Sequence, residues 1–274
     1  MSEKRQSAEA IALAMLFLGI TVFTVAGFAM RTWPPPAASL HATELDGMIR
    51  YLFITTGVVF VVGHLVLVTF LVRYGRGRKA PAPVTNARFE RLWSIIPVVL
   101  MALISEVGVL LIGLPVWDEI YGDVPEDAEV IEVTARQFEW IARYPGPDGT
   151  FGRVVPELVD GQRNPLGLDA TDPTSADDVV TRNQLHLPID RAALLLLRSH
   201  DVLHSFSVAA FRVKQDIVPG MSISTMFTPT LLGTYEIGCA ELCGLGHYRM
   251  RGRVIVHTEA EFSTWLQDQA EGAQ

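Results

Sequence analysis

Charged residues are missing from long parts of this 274-residue chain. Residues 10–30 and 51–72 contain no Lys, Arg, Asp or Glu, and residues 92–117 contain a single acid, Glu106. Each run is long enough to cross the roughly 30 Å hydrocarbon core of a bilayer as a helix. The whole chain is 49% hydrophobic, which is too apolar for an ordinary soluble enzyme. The sequence therefore predicts three membrane-spanning helices.

Several functional motifs are also absent. The chain has no phosphate-binding glycine loop, no Ser-His-Asp arrangement and no internal repeat. These absences argue against a nucleotide-binding loop, a serine hydrolase and a repeat architecture. The chain has two cysteines, Cys239 and Cys243, so it can form at most one internal disulfide.

The first apolar run has two interpretations. Lys4 and Arg5 precede it, and residues 37–39 (Ala-Ala-Ser) offer small side chains for cleavage of a signal peptide. The run is longer than a typical signal, which favours a retained helix.

Basic residues predict the orientation of the spans. The loop between the second and third runs should stay on the cytoplasmic side, because basic loops resist translocation. Its basic residues are Arg73, Arg76, Arg78, Lys79, Arg88 and Arg91. The C-terminal part of the chain should then lie outside, on the periplasmic side of a bacterial plasma membrane.

The balance of charge differs between the membrane part and the C-terminal part of the chain. Residues 1–116 carry 10 basic and 6 acidic side chains, whereas residues 117–274 carry 12 basic and 24 acidic ones. An acidic outer domain repels nucleic acid and attracts basic soluble partners. The alternative is that these acidic side chains serve only to keep the outer domain soluble.

After residue 117 the long apolar runs end, and hydrophobic residues recur at every second position in short segments. This alternation indicates short strands and hence a β-sandwich or barrel. The predicted strands are 129–144, 184–187, 192–198, 203–209, 222–228, 234–239 and 253–257. The predicted division is a first helix with an external linker (1–45), a helical hairpin (46–117) and an outer domain (118–274). A long insertion is predicted at about 145–183. Thr258 and Glu261 have capping-box spacing and predict a final helix.

A cluster of soft metal ligands occupies residues 239–250. Cys239, Cys243, His247 and Met250 are separated by four, four and three residues. Thiolates, imidazole and thioether suit copper far better than magnesium or calcium. His204 would point into the apolar interior of its strand and can supply a second imidazole. A simple disulfide is the alternative for the two cysteines, and two thiolates would allow a dinuclear copper site.

The segments CAELCGLGHYRM (239–250), DVLHSF (201–206) and VKQDIVPG (213–220) together resemble subunit II of cytochrome c oxidase. The resemblance extends from the second apolar run onward. It implies an α-helical anchor followed by an all-β, cupredoxin-like Greek-key sandwich that carries a dicopper centre. The implied ligands are bridging Cys239 and Cys243, terminal His204 and His247, weakly bound Met250 and the backbone carbonyl of Glu241.

The resemblance also implies the rest of the assembly. The Glu241 carboxylate would help to hold magnesium at the boundary with subunit I. Electrons would pass from a c-type cytochrome to haem in subunit I, where oxygen is reduced to water and protons are pumped. This chain would hold no haem and no oxygen-reducing residue. Subunit III, membrane lipid and a further respiratory complex are the other implied partners, and nucleic acid is not.

Two more motifs bear on this implied function. Glu90 begins ERLWSIIP, which resembles the family's ExxWTxxP and implies a place at the mouth of a proton pathway. The stretch Gln137–Trp140 reads QFEW where the family usually has QWYW. Phe138 and Trp140 are therefore candidates for the electron entrance, with the sandwich core as their alternative role. QFxW resembles the caa3-type and related branch, but no CxxCH motif is present, so haem c would come from a separate partner.

Competing functions fit less well. A quinol oxidase subunit II lacks the copper ligands, and a tethered copper-delivery protein usually holds one copper through exchangeable ligands. Nitrous oxide reductase has a similar copper domain together with a propeller that this sequence lacks. Met221 replaces an arginine that is frequent in the family, so an interface role of that arginine is not expected here.

Overall fold

The computed structural model describes residues 3–30, 34–75 and 86–272, with the side chains of residues 3–6 and 272 left out. Its membrane part comprises helices α1 (Glu3–Met30), α2 (Leu40–Tyr74) and α3 (Ala87–Gly108), then one π-helical turn (Val109–Gly113) and α4 (Leu114–Tyr121). Three stretches are long and apolar enough to cross a membrane: Ser7–Met30, Leu40–Tyr74 and Ala87–Tyr121. The three predicted apolar helices are thus confirmed. Of the predicted basic loop, Arg76, Arg78 and Lys79 lie outside the described residues.

The described chain divides into two compact units. The first contains α1 and residues between Asp46 and Leu114, and the second contains Pro34–Leu45 and the chain from Pro115 onward. Within the first unit, the Tyr51 hydroxyl donates to the Ile104 carbonyl at 2.6 Å. Gly108 lies so close to the Tyr51 ring that an added Cβ would be 2.4 Å from it. Helices α2 and α3 therefore meet at a close contact that requires glycine.

The second unit is a sandwich of two five-stranded sheets. One sheet has the order β3-β2-β1-β5-β8 and the other β4-β10-β9-β6-β7. Most neighbours are antiparallel, but β1 is parallel to β5 and β4 to β10. The strands are β1 (Glu129–Arg136), β2 (Glu139–Tyr144), β3 (Val179–Arg182), β4 (Gln184–Pro188), β5 (Ala193–Ser199), β6 (His204–Val208), β7 (Val213–Ile217), β8 (Ile223–Phe227), β9 (Gly233–Cys239) and β10 (Arg251–His257). The all-β sandwich predicted for the outer domain is confirmed.

Inward-facing side chains of both sheets form one core. Ile131, Leu195, Phe206, Phe227 and Val254 are all fully buried in it. Along β1, β5 and β10 buried residues alternate with more exposed ones, as expected when one face of each sheet packs against the other. This core holds the start of β6 and the end of β9, which carry the predicted ligands His204 and Cys239, and the start of β10, which follows Met250.

Three features of this unit differ from the sequence prediction. The stretch 129–144 is two strands, because the chain turns at Gln137–Phe138. Strand β3 lies inside the predicted insertion and β7 was not predicted. Both strands are short, and β7 carries the charged residues Lys214 and Asp216, so its sequence contains no apolar run that would predict a strand.

The linker that follows α1 is part of the sandwich. The Ala38 amide donates to the Ala210 carbonyl at 2.8 Å, and the Thr230 amide donates to the Ala38 carbonyl at 2.9 Å. Ala38 and Ser39 are buried. A protease could therefore reach the Ala-Ala-Ser sequence at 37–39 only after this segment detached.

Two features complete the unit. The buried Arg143 side chain binds Asp178 at 2.6 Å, Glu132 at 3.0 Å and the Gly152 carbonyl, and so fastens the insertion to β2. The final helix α5 (Glu259–Gly272) begins with the predicted capping box. Its Thr258 amide donates to the Glu261 carboxylate at 2.9 Å, and the Glu261 amide donates to the Thr258 hydroxyl at 3.3 Å.

Candidate metal centre

The predicted metal ligands lie where three strands meet a single loop. His204 opens β6, Cys239 closes β9, and residues 240–250 form the loop that leads into β10. Strands β6 and β9 are paired with Phe206 opposite Cys239. This register brings the start of β6 beside the end of β9, so His204 and Cys239 become neighbours although they are 35 residues apart.

The two thiol groups face each other. Their Sγ atoms are 3.8 Å apart, whereas a disulfide requires about 2.05 Å. Both cysteines are therefore free thiols in this structure. The disulfide alternative is not the state that the structure describes.

The remaining predicted ligands surround this pair. His204 Nδ1 lies 4.0 Å from Cys239 Sγ, and His247 Nδ1 lies 3.7 Å from Cys243 Sγ. Met250 Sδ lies 3.6 Å from Cys243 Sγ, and the Glu241 carbonyl oxygen lies 3.1 Å from Cys239 Sγ. Each thiol thus has its own imidazole and one further donor. All six predicted ligands lie together in one cluster.

The ligand atoms fit a soft metal better than a hard one. Donor atoms of His204, Cys239 and Cys243 lie within 4.8 Å of one another, close enough to bind one ion. His247 and Met250 contact the second thiol, Cys243. Imidazole, thiol and thioether groups are ligands that copper accepts.

Burial controls the chemistry of the cluster. His204, Cys243 and Met250 are buried, and Cys239 is half-buried. Burial, together with the neighbouring Cys239 thiol, raises the pKa of Cys243 to about 11. Cys243 is therefore a neutral thiol near neutral pH, and a metal that binds as a thiolate complex must displace its proton.

Two residues outside the predicted set support the cluster. The Asp201 carboxylate is 2.8 Å from His204 Nε2 and accepts the Gln137 amide N–H at 2.8 Å. The Gln137 side-chain amide donates to the Cys243 carbonyl at 2.7 Å. The proximity of Asp201 to His204 in the sequence was a usable signal for the first contact. Nothing in the sequence around Gln137 indicates the second.

The two candidate aromatic residues have different environments. Trp140 is 2% exposed, and its ring packs edge-on against Phe206 with the ring centroids 5.7 Å apart. Its centroid lies 6.4 Å from that of His204. Phe138 is half-buried and lies over Gly246, where an added Cβ would be 2.4 Å from the ring. Trp140 therefore belongs to the core beside the predicted ligand His204, whereas Phe138 covers the loop 240–250 nearer the surface.

The remaining predicted residues lie elsewhere. Glu90 is exposed in the first turn of α3, in the other compact unit. Glu106 is exposed on the same helix. The Glu241 side chain is half-buried and near Lys214. A hydrogen bond to Asp216, with the negative charges of Asp216 and Glu241, raises the pKa of Lys214.

Known proteins share this sequence organisation. Residues 14–109 match the family described as cytochrome c oxidase subunit II, transmembrane domain, and residues 166–258 match the periplasmic domain of the same subunit. The alternative cytochrome c oxidase subunit 2 of Bradyrhizobium diazoefficiens is 37% identical over 95% of this chain and 92% of its own length. The chain belongs to the cytochrome c oxidase subunit II family. As a subunit II it is part of a haem-copper oxidase complex.

Other members of the subunit II family are more distant. Cytochrome c oxidase subunit 2 of Thermostichus vulcanus is 29% identical over 84% of this chain and 76% of its own length. The solved periplasmic domain of subunit II of the Bradyrhizobium japonicum cytochrome oxidase is 26% identical, covering 56% of this chain and all of that domain, with a TM-score of 0.41. Family membership supports three statements about this chain. It is a membrane protein with an extramembrane domain, that domain is cupredoxin-like, and its His/Cys group could bind copper.

Proposed function

We propose that this subunit II relays electrons through a dicopper centre in an aa3- or caa3-type oxidase. The centre would accept electrons from a c-type cytochrome and pass them to haem in subunit I, where reduction of oxygen to water drives proton pumping. The observation that carries this proposal is the pair of facing thiols, 3.8 Å apart, each with its own imidazole. When bound, two coppers that share these thiolates would supply a one-electron carrier.

Each residue of the cluster has a distinct role in this proposal. The Cys239 and Cys243 thiolates and the His204 and His247 imidazoles would be the main groups that hold the copper. Met250 and the Glu241 carbonyl would be the weaker donors. Their placement is supported by the contacts of Met250 with Cys243 and of the Glu241 carbonyl with Cys239.

The protein around the cluster would keep the ligands still during electron transfer. Strands β6, β9 and β10 hold the ends of the ligand-bearing segments, and the buried ring of Trp140 packs beside His204. Such a dry, preorganised site needs little rearrangement when its charge changes. Water exclusion and rigidity are thus the main contributions of this chain to the relay.

The electron entrance is proposed near Phe138. Phe138 is the more accessible of the two aromatic candidates, and the ring of Trp140, a residue of β2, lies beside the proposed ligand His204. The ligand loop also exposes Leu242, Leu245 and Tyr248, with Leu245 99% exposed. An apolar surface beside the ligands suits a donor that must approach closely without a permanent complex.

Further roles are proposed for residues outside the copper cluster. The Glu241 carboxylate would contribute to a magnesium site at the subunit I boundary, since hard oxygen donors suit that ion. The assembly would include subunits I and III in a bacterial plasma membrane, with the sandwich on the periplasmic side. Another respiratory complex is a further proposed partner.

Glu90 is proposed to lie at the entrance of a proton pathway into subunit I. Its exposure at the start of α3 would leave its carboxylate accessible to solvent protons. In the assembled oxidase, Glu90→Ala should slow the reductive phase of turnover, which stopped-flow spectroscopy of the haems can follow. Wild-type kinetics and proton uptake would contradict this role.

Copper analysis and low-temperature electron paramagnetic resonance of the full chain in detergent test the main proposal. Two coppers that share one unpaired electron give a seven-line spectrum, which Cys243→Ser should abolish. A matched control is His257→Gln, because His257 lies outside the cluster and contacts His186 instead. A four-line spectrum, or a chain that retains no copper, would contradict a dicopper centre.

A further inference from the structure

The turn between β1 and β2 contacts two of the segments that carry the metal ligands. The Gln137 amide N–H donates to one oxygen of Asp201, whose other oxygen lies 2.8 Å from His204 Nε2. The Gln137 side chain donates to the Cys243 carbonyl at 2.7 Å. A continuous path of hydrogen bonds therefore runs from a ligand on β6 to a ligand on the loop.

We infer that Gln137 is a positioning residue that fixes the Cys243 backbone relative to His204. This inference rests on the proposed copper function. The ligand loop is largely irregular, and Cys243 lies between the end of β9 and the start of β10, outside both strands. A donor anchored on a β-hairpin can hold the Cys243 carbonyl still, because the hairpin itself belongs to the core sheet.

The backbone of the loop is shaped to receive this side chain. Gly244 has a φ of +123°, a conformation that L side chains rarely adopt. A Cβ added to Gly244 would lie 2.7 Å from Gln137 Nε2. The missing side chain at Gly244 thus leaves the space in which the Gln137 amide reaches the preceding carbonyl.

The adjacent residue reinforces the contact. Phe138 lies against Gly246, two residues further along the loop, and the Arg249 guanidinium carbon lies 5.6 Å from the Phe138 ring centroid. Phe138 therefore covers the loop while Gln137 supplies the directional bond. The Gln137 amide can orient the Cys243 carbonyl, because a hydrogen bond has a preferred angle, whereas the apolar contact of Phe138 has none.

The isosteric substitution Gln137→Glu removes both side-chain N–H donors and nearly preserves the shape. Gln137→Met removes the donors without adding charge, so agreement between the two variants separates the lost bond from a charge effect. Gln162→Glu is the matched control, because Gln162 is an exposed glutamine in the insertion. All four proteins are prepared as the full chain in detergent.

Two measurements report on the loop. In metal-free protein, the alkylation rate of Cys243 by iodoacetamide is followed by mass spectrometry. In copper-loaded protein, the rate of copper loss to a chelator and the copper hyperfine splitting are recorded. Residues that support metal ligands typically change metal affinity by about tenfold or more when replaced. We therefore expect both Gln137 variants to raise the alkylation and copper-loss rates about tenfold and to alter the hyperfine splitting.

The outcomes separate this inference from the proposed function. Wild-type rates and spectra in both Gln137 variants would overturn the positioning role while leaving the dicopper centre intact. A wild-type chain without a two-copper spectrum would contradict the proposed function, and the metal-free alkylation rates would still decide whether Gln137 restrains the loop. A change of the same size in Gln162→Glu would show that the effect does not depend on the Gln137 hydrogen bond and would also overturn the inference.

Discussion

At the scale of single residues, the ligand loop depends on a glycine that has no room for a side chain. An added Cβ at Gly246 would lie 2.4 Å from the Phe138 ring. We expect Gly246→Ala to displace that ring and to destabilise the sandwich by about 1–3 kcal/mol, the usual cost of overpacking. Thermal unfolding of the metal-free chain measures this loss.

A second substitution tests the cause of that loss. Gly246→Ala should cost less in a Phe138→Leu background, because the smaller side chain can move away and the two changes are coupled. Gly238→Ala is the matched control, since nothing lies within 4 Å of its added Cβ. Equal costs in both backgrounds would show that the ring is not the obstacle.

The same scale shows which site residues the sequence could predict. Cys239, Cys243, His247 and Met250 share one short loop, so their chemistry is visible in the spacing alone. His204 required a resemblance or a strand argument, because only the pairing of β6 with β9 brings it to the loop. Gln137 was not predictable as a supporting residue, since its contacts with Asp201 and Cys243 span 64 and 106 residues.

At the scale of elements, one buried ion pair fastens the insertion to β2. The side chains of Arg143 and Asp178 are 2% and 0% exposed and lie 2.6 Å apart. Arg143→Met would leave the Asp178 carboxylate buried without its partner, which typically costs about 3–5 kcal/mol. We expect a loss of this size in the free energy of unfolding, measured by chemical denaturation.

A similar pair near the surface serves as the control for this prediction. Arg153 binds Asp169 at 2.5 Å, but its side chain is 62% exposed. Arg153→Met should cost about 1 kcal/mol or less, because exposed ion pairs contribute little. Similar losses in the two variants would contradict the view that burial determines the cost.

A second element-scale prediction concerns pH and the docking of α5. His186 is 6% exposed, stacks on Trp265 of α5 with the ring centroids 3.9 Å apart, and bonds to His257 at 2.8 Å. Burial, and then the neighbouring His257, lower the pKa of His186 from 6.5 to about 4. Between these two values the unfolded chain binds a proton that the folded chain excludes, so stability should fall as pH decreases from 6.5 to 4.

Thermal unfolding across this pH range tests whether protonation of His186 causes the loss of stability. His186→Gln should show a shallower decrease in melting temperature than the wild type, because glutamine does not titrate. His200→Gln, which changes an exposed histidine, should keep the wild-type slope. Identical slopes in all three proteins would remove His186 as the cause.

Helices and strands with a clear hydrophobic pattern could be predicted from the sequence. Segments whose conformation depends on hydrogen bonds to distant parts of the chain could not. The spans and the strands around Leu195 and Phe206 follow from runs of apolar side chains. Strand β7 carries Lys214 and Asp216 on its exposed side and owes its strand conformation to pairing with β6. The Ala38 segment is held by hydrogen bonds to Ala210 and Thr230, which lie far away in sequence.

At the scale of the whole molecule, the charge of the outer domain can act over distances that single contacts cannot. Residues 117–274 contain 24 acidic and 12 basic side chains. Arg249 and Arg251 nevertheless lie on or beside the ligand loop. Attraction of a basic cytochrome would therefore arise from the summed field of the domain rather than from acids packed around the proposed copper ligands.

If the summed field of the outer domain attracts the cytochrome, the rate of cytochrome oxidation should depend strongly on salt. In the assembled oxidase, kcat/KM for a basic c-type cytochrome should fall about tenfold as ionic strength rises from about 10 mM to about 150 mM, because the Debye length shrinks from about 30 Å to about 8 Å. The matched control is an uncharged small-molecule reductant, whose rate should stay nearly constant over the same range. If the acids serve only solubility, both donors will respond alike. A cytochrome rate that stayed level or rose with salt would instead indicate that the apolar surface of Leu242, Leu245 and Tyr248, with the neighbouring arginines, determines docking.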